Sequence, residues 1–197
     1  MRHTAATNAL LRVAAVMSVA RPPPPMVVFD LDACCWAPEM YQLWGDSPPF
    51  TQTSDPGVLR TAGGTAVKLL GDVRAIWREL HDAGVTVAVA SRSDEPDWAR
   101  ECLRKFVVCD KGTTMWDVAH PNVEIYKGSK QGHFRELHRK TSVPFSQMLF
   151  FDDDPANIRD VSSLGVTCVL TPKGVTRECF DQGMRAYQKK AAASVAP

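Results

Sequence analysis

Val27-Val28-Phe29-Asp30-Leu31-Asp32 is a short apolar run that ends in two carboxylates one residue apart. A run of this kind reads as a strand buried on both faces, the habit of parallel sheets. The strand period of two puts Asp30 and Asp32 on the same side, roughly 6 to 7 Å apart before the chain turns. Two like charges so placed need a cation or a shared proton. Acidic residues after strands also serve as helix caps, so the pair alone does not define a site.

Outward from this run, short apolar segments alternate with segments of helical period. Asp72 is placed to cap a helix that carries Val73, Ile76, Trp77, Leu80 and Ala83 on one face, with Gly84 at its end. A second strand follows at 85–90, then a helix from Pro96 with Trp98, Cys102 and Phe106 inward, and a brief strand at 107–109. Residues 129–140 are amphipathic through Phe134 and Leu137. A strand at 148–151, a helix at 155–164 closed by Gly165, a strand at 166–170 and a helix from about 176 to 187 complete the alternation. This is the pattern of βαβ units: an α/β fold, a Rossmann-like parallel sheet with helices on both faces. With 197 residues, the expected organisation is one domain over 26–188 and a tail over 189–197. Residues 37–70, with Tyr41, Trp44 and Phe50, break the alternation and read as loops or a small hairpin covering the ligand crevice.

The charge balance, 23 Lys and Arg against 22 Asp and Glu, advertises neither nucleic acid nor a membrane surface. Residues 1–25 are distinct: Arg2, Arg12 and Arg21 occur with no acid, before Pro22-Pro23-Pro24-Pro25. That is the composition of an organelle transit peptide, with an unstructured extension as the alternative. Arg12 interrupts the only apolar stretch there, which argues against a secretory signal, and no run approaches the roughly 18 apolar residues of a membrane span. Six cysteines without zinc spacing read as reduced, mostly buried thiols. The expected location is intracellular, cytoplasmic by default, with a mitochondrion or plastid as the reading of the basic leader.

Four polar signals fall near the C-terminal ends of expected strands: Asp30/Asp32, Ser91, Lys130 and Asp152-Asp153-Asp154. Ligands bind at that edge of a parallel sheet. Asp152 would complete an all-oxygen site suited to Mg²⁺. With a phosphate dianion, ionised Asp30 and Asp152, protonated Asp32, Mg²⁺ and Lys130, the net charge is about −1. In this scheme Asp30 attacks phosphorus while Asp32 protonates the leaving oxygen and later takes a proton from water. Ser91 donates a hydrogen bond to phosphate. Asp153 and Asp154 have a second reading, as caps of the following helix, with Asp153 a secondary metal contact.

These residues resemble the haloacid dehalogenase superfamily, whose pattern is D-x-D-x-[T/V] after strand one, Ser/Thr after strand two, a Lys, and an acidic pair after strand four. Within it they are similar to the magnesium-dependent phosphatases of type one, a small protein-tyrosine-phosphatase-like branch. The closer match is carried by Phe29-Asp30-Leu31-Asp32 ending in Trp36, Ala90-Ser91-Arg92-Ser93, Gly128-Ser129-Lys130, the 144–153 run and Leu164-Gly165-Val166-Thr167-Cys168. The resemblance implies Asp30 as nucleophile and metal ligand, Asp32 as acid/base and backbone-carbonyl ligand, and Asp152 as ligand. It implies Ser91 and Lys130 on phosphate, with Arg92 beside them, a minimal cap, and protein phosphotyrosine or sugar phosphates as substrates. A catalytically idle phosphate-binding module, a phosphotransferase or a dehalogenase on the same scaffold are the rival readings. Cys34 stands where the family usually has Thr, so a looser turn is expected there, and a thiol open to oxidation in the case that it is exposed. Lys127 lies close enough to share the role of Lys130.

Other patterns are set aside. Cys179 and Arg185 have C-x₅-R spacing, but the residues between them are helical in pattern rather than a glycine-rich phosphate cradle. His133 and His138 are five apart, on different helix faces, and read as surface residues rather than a metal pair. Trp36, Tyr41, Trp44 and Phe50 read first as packing for the loop-rich segment and second as a ring-stacking mouth.

Overall fold

In the computed structural model, which describes residues 22–193, the apolar run becomes the central strand of a five-stranded sheet. The chain runs β1 (Met26–Phe29), β2 (Trp36–Ala37), β3 (Thr51–Gln52), β4 (Val58–Arg60), β5 (Ala66–Leu69), α1 (Val73–Asp82), β6 (Thr86–Ser91) and α2 (Pro96–Lys105). It continues through α3 (Met115–Ala119), β7 (Val123–Ile125), α4 (Lys130–Thr141), β8 (Met148–Asp152), α5 (Pro155–Ser162), β9 (Thr167–Leu170) and α6 (Arg177–Ala193). The main sheet is wholly parallel in the order β7-β6-β1-β8-β9.

Alternation along β1 explains why both faces are covered. Val27 and Phe29 join a core with Ile76 and Trp77 of α1, Leu103 of α2, Met115 of α3 and Phe180 of α6. Met26 and Val28 join the other core, with Phe134 and Leu137 of α4 and Val161 of α5. On the first face Phe29 packs between Trp77 and Phe151, at ring-centroid distances of 5.2 and 5.4 Å. Such pairs add about 0.5–1.5 kcal/mol each beyond the area they bury.

Several expectations are corrected. The strand placed at 107–109 does not enter the sheet: Val107 only bridges to Thr114, and the N–H groups of Val108 and Cys109 both bond to Thr113 O, closing a tight loop. The outer strand is instead β7, three residues with Glu124 in the middle, too short to show a period. Residues 37–70 form more than a hairpin, since β2 to β5 make an antiparallel sheet in the order β2-β5-β4-β3. The last helix continues through Ala193, past the expected start of the tail, because Gln188-Lys189-Lys190-Ala191-Ala192-Ala193 are all good helix formers. The transit-peptide reading of 1–25 lies almost wholly outside the described residues. Among the described residues no helix is long and apolar enough to cross a membrane.

His133 is not a surface residue: it is fully buried in α4, with Nε2 donating to Tyr126 O at 3.0 Å and its ring 4.2 Å from the Tyr126 ring. His138, five residues on, is exposed and bonds Val143 O. Burial pushes the His133 pKa down to about 4, from 6.5. The unfolded chain therefore binds a proton that the folded chain refuses, so stability is lost as pH falls through 6.5 toward 4. His133→Gln should flatten the fall in thermal midpoint across that window; an unchanged pH profile would remove His133 as its source.

Candidate active site

Parallel neighbours deliver their C-terminal ends to one edge, so the main sheet brings residues far apart in sequence together. Asp30 follows β1, Asp152 ends β8 next to it, and Ser91 ends β6 on the other side. The order of strands reverses at β1, the usual position of a ligand crevice. A cavity of about 650 Å³ opens there, with Asp30, Asp32, Ser91 and Lys130 in its lining.

Lys130 is the first residue of α4, whose start is fixed by the Ser129 hydroxyl accepting from Gly132 N. Its ammonium is buried and pairs with Asp30 Oδ1 and with Asp152 Oδ2 (2.9 Å), and it donates to Ala90 O (2.6 Å). Burial alone would favour the neutral amine, but the two carboxylates hold its pKa above the ordinary lysine value. Lys127, the alternative, is exposed and paired with Asp94 at 2.9 Å. Lys130 therefore holds the floor of the site and Lys127 stands at its rim.

Burial pushes Asp30 up to about 7, against the pull of Lys130 and with Asp152 adding to the rise. Burial also raises Asp32, opposed by the neighbouring Ser93 hydroxyl and by hydrogen bonds from Trp36 and Met40. Trp36 Nε1 (2.8 Å) and Met40 N (3.2 Å) both donate to Asp32 Oδ1. That arrangement leaves Oδ2 to carry a proton, as an acid/base group requires. Ser91 Oγ accepts from Ser93 N at 3.2 Å, so its own hydroxyl proton is free to donate into the cavity.

Asp152 is the most constrained carboxylate. Oδ1 accepts from Asp154 N (2.8 Å) and Asn157 Nδ2 (3.0 Å), while Oδ2 faces Lys130 and a longer contact from the same amide (3.2 Å). Asp154 is the N-cap of α5, accepting from Ala156 N at 2.7 Å. Asp153 is thereby left to face the site, and one oxygen from each of Asp30, Asp152 and Asp153 lies within 4.8 Å of the others. The Asp32 carboxylate is outside that cluster. Three carboxylates against one ammonium have a formal balance of −2 when all are ionised, which one divalent cation cancels. The all-oxygen donor set suits a hard cation.

Asn157 was not singled out in the sequence. Its side-chain oxygen accepts from Arg92 (3.3 Å) while its amide holds Asp152, so it links the two sides of the cavity. The available signal was its place in the first turn of the helix that follows the acidic run. Glu39 was also missed, since nothing local marks a loop carboxylate as facing the cavity.

Cys34 belongs with the buried thiols expected for most of the cysteines. It is fully buried, donating to Phe151 O (3.5 Å) and sharing a hydrogen bond with Thr171 Oγ1 (3.4 Å), and burial raises its pKa well above the usual thiol value. Cys179 and Arg185 lie on one helix, α6, with no phosphate cradle between them. Trp36 and Phe50 are buried packing, whereas Tyr41 and Trp44 are exposed.

Residues 22–190 match the family model described as acid phosphatase. The chain is 39% identical over 171 residues to magnesium-dependent phosphatase 1 of Homo sapiens, covering 84% of this chain and 88% of that one. It is 37% identical over 149 residues to a HAD-like hydrolase superfamily protein of Schizosaccharomyces pombe, covering 73% and 83%. The fold is similar to the crystal structure of a HAD-superfamily hydrolase from Ehrlichia chaffeensis, with a TM-score of 0.53 at 12% identity, covering 86% of this chain and 98% of that one.

Proposed function

Because the chain belongs to the acid phosphatase family within the haloacid dehalogenase-like hydrolases, we propose that it is a Mg²⁺-dependent phosphomonoesterase working through an aspartyl-phosphate on Asp30. The observation that carries this reading is the convergence of Asp30, Lys130 and Asp152 at the floor of one cavity, with Asp153 beside them. Asp30, Asp152 and Asp153, with the Asp32 carbonyl, are the groups to hold Mg²⁺. Bound there, the ion would neutralise carboxylate charge and polarise the phosphoryl group.

The chain's own residues supply the rest. Ser91, Arg92 and Lys130 orient the phosphate, and Asp30 Oδ forms the new bond to phosphorus as the bond to the leaving oxygen breaks. Asp32 gives its proton to that oxygen, then takes one from the water that attacks phosphorus and releases Asp30. Protein phosphotyrosine and sugar phosphates are the proposed substrates, which the open cavity and the exposed Tyr41 support. The six free cysteines support an intracellular location.

Borohydride reduction of enzyme quenched during turnover of an aryl phosphate, followed by peptide mass spectrometry, tests the mechanism. Reduction should appear at position 30. Continued turnover with Asp30 unmodified would overturn it.

Asn157 gives an independent expectation. Asn157→Ala releases both oxygens of Asp152 from their amide partner, and loss of such a supporting hydrogen bond typically weakens metal binding about 10- to 100-fold. Titration calorimetry with Mg²⁺ should show that loss, and an unchanged affinity would mean Asn157 does not orient the ligand.

A further inference from the structure

The lining of the cavity is uneven in charge. Its cations, Arg92, Lys127 and Lys130, come from the segments after β6 and β7, while the segment after β2 contributes Glu39 and Tyr41. Among the described residues no cation pairs with Glu39; it lines the same cavity as Asp32 and Asp153, and burial, with the charges of those two carboxylates, raises its pKa.

This acidic corner is held rigidly. Glu39 N donates to Gln42 Oε1 (3.1 Å), and the next residue, Met40, is fully buried and donates its N–H to Asp32 (3.2 Å). At the far end of the same turn, Trp44 Nε1 donates to Glu95 Oε1 at 2.8 Å. The Glu39 side chain closes the same turn as a capping box with the Gln42 backbone N–H, which holds its carboxylate in place. The turn therefore presents a fixed charge beside Asp32, the group that protonates the departing oxygen, with the exposed Tyr41 ring as its neighbour.

We infer that Glu39 is a specificity-determining residue, which disfavours phosphate monoesters whose leaving group carries a second negative charge and admits those with a neutral or cationic one. The inference rests on the phosphatase reading above and adds to it the class of leaving group. Repulsion between two unit charges at the spacing of such a corner, partly exposed to water, changes rates by about three- to tenfold.

The test compares kcat/KM for phenyl phosphate and 4-carboxyphenyl phosphate at low ionic strength, in the wild type, Glu39→Gln and Glu39→Lys. Using the ratio of the two substrates in each protein removes their intrinsic reactivity and any general loss in a variant. The ratio should move toward the carboxylate substrate by about three- to tenfold in Glu39→Gln and further in Glu39→Lys, and the shift should shrink in high salt. Turnover with the same ratio in all three proteins would overturn the inference alone. Absence of turnover of either substrate by the wild type would overturn the phosphatase reading and this inference with it.

Discussion

Asp30→Asn is expected to lower kcat for an aryl phosphate in Mg²⁺ by at least about a thousandfold, because it removes the attacking oxygen rather than a supporting contact. The same change should leave the thermal midpoint at pH 8 unchanged or higher. Burial pushes Asp30 up to about 7, which means that its ionised form is held in the folded protein at a cost. A carboxylic acid with a raised pKa weakens the fold as pH climbs through that pKa, and a neutral amide of the same shape avoids the penalty. The Asn side-chain oxygen still accepts from Lys130, so the ammonium is not orphaned. Loss of turnover together with a retained midpoint would separate chemistry from folding; undiminished turnover would rule Asp30 out as nucleophile.

Lys130→Met should be damaging in both respects. It deletes the only cation in contact with Asp30 and Asp152 among the described residues, and removing one partner of a buried ion pair typically costs about 3–5 kcal/mol. Without the ammonium that pulls it down, Asp30 rises further in pKa, so the loss should grow as pH is raised from about 4, the range in which the unfolded chain ionises it. Urea denaturation at pH 5 and pH 8 reads this directly. Adding Asp30→Asn to Lys130→Met removes one of the stranded charges and should recover part of the stability. Equal stability of the single and double variants would show that the two groups are not coupled through charge. Turnover should fall below detection in both variants.

How far these features could be read in advance depended on whether they were written locally. The hexapeptide ending at Asp32 fixes a doubly buried strand because its period and its flanking carboxylates are adjacent in the chain. Ser91, Lys130 and Asp152 were found because each sits at the end of a strand or the start of a helix whose pattern is itself local. Strand β7 escaped because three residues around a glutamate carry no period. The buried state of His133 escaped for a different reason: helical spacing places it, but its burial involves packing against Tyr126, which lies outside the helix. Nothing local in its turn says whether Cys34 is exposed. Its burial depends on Thr171, 137 residues away. Asn157 and Glu39 share that character, since their relevance is a contact through space and not a motif.

The strand order has one more consequence, for the order of synthesis. β1 is central to the sheet, yet the strands that flank it are β6 and β8: Met26 sits opposite Thr86 on one side and Met148 on the other. On a ribosome moving at about 5–20 residues per second, the most apolar strand emerges seconds before its first neighbour and waits longer for its second. For that interval Val27, Val28 and Phe29 are an open edge in nascent chain, a natural substrate for chaperones that bind extended hydrophobic segments. Until β8 leaves the exit tunnel, no nascent chain can assemble the acid triad.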